Sequence, residues 1–155
     1  MDLKDLYREV ILDHNKSPRC FGRLDPADGS ADGHNPLCGD RLHVTLRTDG
    51  DRVSDVRFDG KGCAISVASA SLMCEAVKGR SRGDIAHLFS EIHRVLTHHD
   101  APVPEDLGKL AALAGVRDFP VRVKCASLAW HTLNAALARH DDSGRGEPAQ
   151  SVSTE

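Results

Sequence analysis

Apolar residues recur at three and four along the first stretch of the chain, where Leu3, Leu6, Tyr7, Val10 and Ile11 fall on one face. This spacing predicts a helix capped by Asp2 and running to about His14, stopped by Ser17-Pro18-Arg19. From Cys20 to Pro36 the chain is rich in Gly, Asp and Pro without a period, and an irregular loop is expected. The spacing then drops to two. Leu42, Val44 and Leu46 alternate with His43, Thr45 and Arg47, and Val53, Val56 and Phe58 mark a second strand with a slip in phase. Asp49-Gly50-Asp51 is the hairpin signal between them. Asp59-Gly60-Lys61-Gly62 predicts another turn, leading into a short third strand around Cys63 to Ser66.

Beyond Ser66 the period is helical again, with Ala68, Leu72, Met73, Ala76 and Val77 closed by Gly79. Ser81-Arg82-Gly83-Asp84 resembles a capping box opening a helix with Ile85, Leu88, Phe89, Ile92 and Leu96. After a loop from Thr97 to Pro104, a shorter helix carries Leu107, Leu110 and Leu113 and ends at Gly115. A last helix starts near Cys125 and presents Leu128, Ala129, Leu133, Ala136 and Leu137. From 141 to 155 the tail is polar and aperiodic, and disorder is expected. The elements add up to one α+β domain over residues 1–140. Its three-stranded antiparallel sheet has helices packed on one face and a more polar opposite face.

Composition narrows the function classes. The 155 residues are 40% hydrophobic and 28% charged with a formal net charge of -3, so nothing favours nucleic acid or an anionic membrane. No apolar run reads as a signal peptide or a membrane span, which makes the cytoplasm the expected compartment. Five cysteines, an odd number, argue against a disulfide framework and for metal binding or thiol chemistry.

The chemistry collects at ends of elements. Asn35-Pro36-Leu37-Cys38-Gly39-Asp40 places a thiol and a carboxylate two residues apart on a turn, half of a four-ligand zinc shell. On these six residues alone, a surface turn with an idle cysteine is an equal alternative. In an antiparallel meander, the starts of strands one and three share a sheet edge, so Cys38 and Asp40 can meet Cys63. Cys125, at the N-terminus of the last helix, is favoured as a thiolate by the helix dipole. Three thiolates and a carboxylate make a plausible tetrahedral zinc shell, with Zn–S near about 2.3 Å.

Three stretches carry a resemblance. Asn35 to Asp40, Gly60-Lys61-Gly62-Cys63-Ala64-Ile65-Ser66, and Val121-Arg122-Val123-Lys124-Cys125-Ala126-Ser127-Leu128-Ala129-Trp130 resemble the three cysteine motifs of the IscU/NifU-like iron–sulfur cluster assembly family. Leu6 to His14 and Lys16-Ser17-Pro18-Arg19 match as well, and the likeness spans about 3 to 138. Two features resemble its SufU branch of zinc-dependent sulfurtransferases: Lys124 stands where IscU-type scaffolds carry a histidine, and a helical insertion lies at about 80–117.

The resemblance implies one zinc per chain held by Cys38, Asp40, Cys63 and Cys125, with Arg122, Lys124 and Lys61 as charge-balancing neighbours. Arg122 by itself reads either as a satisfied surface cation or as a partner for Asp40, the pairing being the favoured expectation. It also implies a sulfur acceptor that takes persulfide sulfur on Cys38 from a SufS-type, pyridoxal-phosphate-dependent cysteine desulfurase, activates that enzyme, and passes the sulfur to downstream iron–sulfur scaffold proteins. Cys38 would leave the zinc for this, its place taken by a desulfurase histidine. Two alternatives stand beside it: a scaffold carrying an iron–sulfur cluster on the same ligands, and a structural zinc interaction module.

The remaining candidates have plainer readings. Cys20 in a loop and Cys74 inside a helix are expected to be non-ligands, Cys74 as a small buried residue. His98-His99-Asp100, His131 and His140 read as surface groups, Tyr7 as core-facing, and Trp130 as packing.

Overall fold

The computed structural model describes residues 3–36, 39–98, 100, 102–142 and 150–153. The expected Asp2 cap and the histidine at 99 lie outside the described residues, as does Cys38.

Helix α1 (Leu3–Lys16) opens the chain, followed by β1 (Gly29–Asn35), β2 (Asp40–Asp49) and β3 (Arg52–Lys61). Helices α2 (Ala64–Val77) and α3 (Arg82–Thr97), a 3-10 helical stretch (Glu105–Val116) and the long α4 (Pro120–Asp142) come next. A short β4 (Gln150–Ser153) closes the order. β1, β2 and β3 form the expected three-stranded antiparallel unit, and β4 adds to it in parallel beside β1, giving the order β3-β2-β1-β4. The α+β class holds.

Which segments make the three strands differs from the sequence reading. β1 lies inside the stretch expected to be irregular, and Cys63 to Ser66 is the start of α2 rather than a strand. β1 is hard to read because its inward positions, Gly29, Ala31, Gly33 and Asn35, are small or polar. Smallness is what lets α4 lie on it. A Cβ at Gly29 would come within 2.6 Å of the Ala136 carbonyl oxygen, and one at Gly33 would collide with Thr132. Gly60 reads as a turn but sits within β3 opposite Leu42, at φ 130 with Arg41 closing over it, where a side chain has no room. The tail expected to be disordered from 141 contributes the last residues of α4 and the four residues of β4.

Other expectations match. Gly50 turns the β2–β3 hairpin at φ 62, and the phase slip is a register shift between Arg47 and Thr48. Ser81 caps α3 by accepting from the Asp84 amide at 3.1 Å.

The core fills the space between sheet and helices. α4 packs on β1 and β2, α2 packs on α4 and β3, and α1 rides on α2. Phe58, Leu46, Met73, Ile85 and Trp130 are fully buried there. Ser69, on α2, donates to the Ala126 carbonyl at 2.6 Å and accepts from Trp130 Nε1 at 3.2 Å, which ties α2 to α4. The opposite sheet face is charged, carrying the cross-strand pair of His43 and Asp32. The segment after Cys20 covers part of it, bonding Leu24 to buried Thr45 and Arg23 to Asp59.

Candidate metal centre

Asp40 opens β2 and is fully buried. The connection before it folds back through Gly39 at φ 72, whose amide donates to the Asn35 carbonyl at 2.8 Å. Asn35 and Asp40 are register partners, so the connection carrying Cys38 is anchored at the sheet end.

Because β2 and β3 are antiparallel, the end of β3 returns to the start of β2, and Gly62-Cys63 is delivered beside Asp40. Cys63 is the N-cap residue of α2, with extended backbone. Its amide donates to Asp40 Oδ1 at 2.8 Å, and its sulfur lies 3.9 Å from Asp40 Oδ2. The carboxylate thus satisfies the N-cap residue's own amide, the part that a Glu side chain at the third helical position plays in a capping box. The sequence reading put Cys63 and Asp40 together through a third strand. They do meet, but the second hairpin strand and a helix start bring them there.

Cys125 comes from α4. The helix begins at Pro120, so Cys125 lies in its second turn and not at the N-terminus expected from sequence. The free-amide argument for its thiolate thus fails. Its sulfur instead receives Asn35 Nδ2 at 3.5 Å, and the residue is 2% exposed.

One donor atom each from Asp40, Cys63 and Cys125 lies within 4.8 Å of the other two. Two soft sulfurs and one hard oxygen at that spacing suit a zinc ion in a tetrahedral site, which needs one further ligand. Among the described residues Asp40 Oδ2 has only a long sulfur contact although the residue is fully buried, which suits a ligand atom for a cation.

The three cations behave differently from one another. Arg122 does not pair with Asp40: its guanidinium sits 4.6 Å over the Phe119 ring, and among the described residues no ion pair joins it to the carboxylate. Lys61 ends β3 opposite Arg41, exposed. Lys124 is half-buried one residue before Cys125, its carbonyl accepting from Ser127 Oγ at 3.2 Å. Asn35 and Gly62 were not singled out from sequence. Gly62 leaves open the space that a Cβ would occupy, 3.0 Å from Asp40 Oδ1.

A groove of about 900 Å³ opens beside Cys63 and Cys125, bounded by α1, the end of the 3-10 stretch and the start of α4. Leu12, Phe119 and Val121 line it at 60%, 47% and 52% exposure, unusual for such side chains. Tyr7 packs against Gly115 at its edge, as its core-facing reading expects.

The other cysteines lie apart. Cys74 is fully buried and burial pushes its thiol well up; Cys20 is half-buried and raised for the same reason. Histidine 131 departs from its surface reading. It is half-buried beside Phe89 and His93, and burial lowers its pKa. Among the described residues no helix is long and apolar enough to cross a membrane.

The chain is 42% identical to the "Zinc-dependent sulfurtransferase SufU" of Bacillus subtilis over 90% of its own length and 95% of that protein's. It is 40% identical to the "Iron-sulfur cluster assembly scaffold protein IscU" of Streptococcus pyogenes, over 88% of this chain and 86% of that one. Among solved structures, FiSufU from Fervidobacterium islandicum superposes with a TM-score of 0.78 at 32% identity, covering 86% of this chain and 97% of the other. A NifU-like protein from Brucella abortus gives 0.79 at 26% identity, over 91% and 98%. With residues 6–143 matching the NifU-like N terminal domain, the chain belongs to that family.

Proposed function

We propose that this protein is a zinc-binding sulfur acceptor. In this reading it takes persulfide sulfur from a SufS-type, pyridoxal-phosphate-dependent cysteine desulfurase, activates that enzyme, and passes the sulfur to iron–sulfur scaffold proteins in the cytoplasm. The observation that carries the reading is the convergence of the Asp40, Cys63 and Cys125 donor atoms at the anchored end of the connection that bears Cys38. Cys38 would be the fourth ligand and the sulfur carrier. The segment 80–117, containing α3 and the 3-10 stretch, would be the branch's helical insertion.

Zinc supplies a soft, exchangeable and redox-inert centre that keeps thiols deprotonated at neutral pH. Asp40, Cys63 and Cys125 hold it, positioned by the sheet end and by two helices. Asn35 directs a donor at the Cys125 sulfur. Cys38, as a thiolate, attacks the terminal sulfur of the desulfurase persulfide. The sulfur–sulfur bond to the desulfurase cysteine breaks, that cysteine leaves as a thiolate, and Cys38 now carries the persulfide with no net redox change. Lys61, Arg122 and Lys124 offset the negative charge of the thiolates. The exposed Leu12, Phe119 and Val121 beside two ligand cysteines suit docking of the enzyme that delivers the sulfur.

The test is desulfurase turnover with and without this protein, on a preparation whose metal is measured. One zinc per chain, a colourless protein, raised turnover, and no radiolabelled sulfur on Cys38→Ser are expected. Sulfur accepted by Cys38→Ser overturns the carrier role, and unchanged turnover leaves a structural zinc module.

The second reading is a scaffold for an iron–sulfur cluster, favoured by the name of the Streptococcus pyogenes relative and by a donor set that also suits [2Fe–2S]. Lys124, standing before Cys125 in place of a histidine, weighs against it. A brown protein with visible absorption would decide for the scaffold.

A further inference from the structure

α2 buries three serines, and two of them are fully engaged. Ser69 bridges the Ala126 carbonyl and Trp130, and Ser71 meets His14 Nδ1 at 2.7 Å and the Arg19 amide at 2.8 Å. Ser66 is as completely buried, and among the described residues its hydroxyl has no hydrogen-bond partner. A buried, unspent hydroxyl is destabilising, and in the first turn of α2 alanine would fill that position without loss.

The position of the hydroxyl shows what it is for. A Cβ at Gly62 would lie 3.1 Å from Ser66 Oγ and 3.0 Å from Asp40 Oδ1, so the hydroxyl and the carboxylate border the same space that Gly62 leaves empty. Asp40 Oδ1 is already held by the Cys63 amide. A carboxylate oxygen has room for a second donor, and Ser66 is one turn along the helix that Cys63 begins.

The geometry points to Ser66 as a positioning residue for the metal centre: its hydroxyl donates to the Asp40 carboxylate when the ion is bound and fixes that carboxylate as a ligand. The inference rests on the zinc-binding reading. Partners of this kind orient a ligand and raise its hold on the ion without touching the ion.

Zinc affinity, by chelator competition, and melting temperature of the metal-free protein are measured for wild type, Ser66→Ala, Asp40→Ala and the double variant. Ser66→Ala is expected to weaken zinc binding by about 10- to 100-fold while leaving the metal-free melting temperature unchanged or raised, because an unpaired buried hydroxyl has been removed. In the Asp40→Ala background the same substitution should change zinc affinity no further. A merely structural serine would instead lower the metal-free melting temperature and act equally in both backgrounds. Unchanged zinc affinity in Ser66→Ala overturns the inference while the zinc reading stands. A wild-type protein that takes up no zinc overturns both.

Discussion

The Cys63 backbone amide and the Asp40 carboxylate are joined by a 2.8 Å hydrogen bond that makes one acidic side chain serve both a helix start and the candidate metal centre. The two roles can be separated by substitution.

Asp40→Asn keeps an acceptor for the amide and discards the charge, whereas Asp40→Ala discards both. Metal-free Asp40→Asn should stay close to wild type in urea unfolding. Asp40→Ala should lose about 1–3 kcal/mol, since it orphans a helix-start amide. Both should bind zinc measurably more weakly than wild type in a chelator titration.

Ser69→Ala removes the acceptor for Trp130 Nε1 at the junction of α2 and α4. A cost of about 1–3 kcal/mol is expected from the unpaired buried indole. The sole tryptophan should report the change as a shift in its emission, read together with the denaturation midpoint.

Leu12→Ser combined with Val121→Ser alters side chains that are already 60% and 52% exposed. Stability and zinc content should hold, while the protein concentration needed for half-maximal desulfurase activation rises about tenfold or more. Activation at unchanged concentration would remove this groove as the docking face.

His14 and His131 both have pKa values lowered by burial from the ordinary 6.5. Each is therefore held neutral in the fold, and protons bind the unfolded chain more readily. Their contribution to stability is complete above about pH 6.5 and declines as the pH falls through the lowered folded-state values. Urea midpoints of the metal-free protein should drop from pH 7.5 to pH 5, and His131→Gln should flatten part of that slope.

The sequence made the helices, the β2–β3 hairpin and three members of the donor cluster legible, because amphipathic periods and cysteine motifs are local signals. β1 escaped it. Its inward residues contribute closeness to α4 instead of hydrophobic bulk, and closeness depends on a helix about a hundred positions away, invisible to any local window. The ends of α2 and α4 were misplaced for a related reason. Cys63 caps α2 without a side-chain bond and has its own amide held by the distant Asp40, and Pro120 starts α4 earlier than its apolar stripe begins. Arg122 looked like a partner for Asp40 on charge alone, but the Phe119 ring gives its guanidinium a nearer seat.

The donor atoms belong to a strand, a helix start and a second helix, which only the folded chain brings together. An ion bound there acts as a clasp across the long loops between positions 40, 63 and 125. By mass action, such binding would make the protein's melting point a gauge of free metal. At a hundred times the dissociation constant, the added stability is about 2.7 kcal/mol.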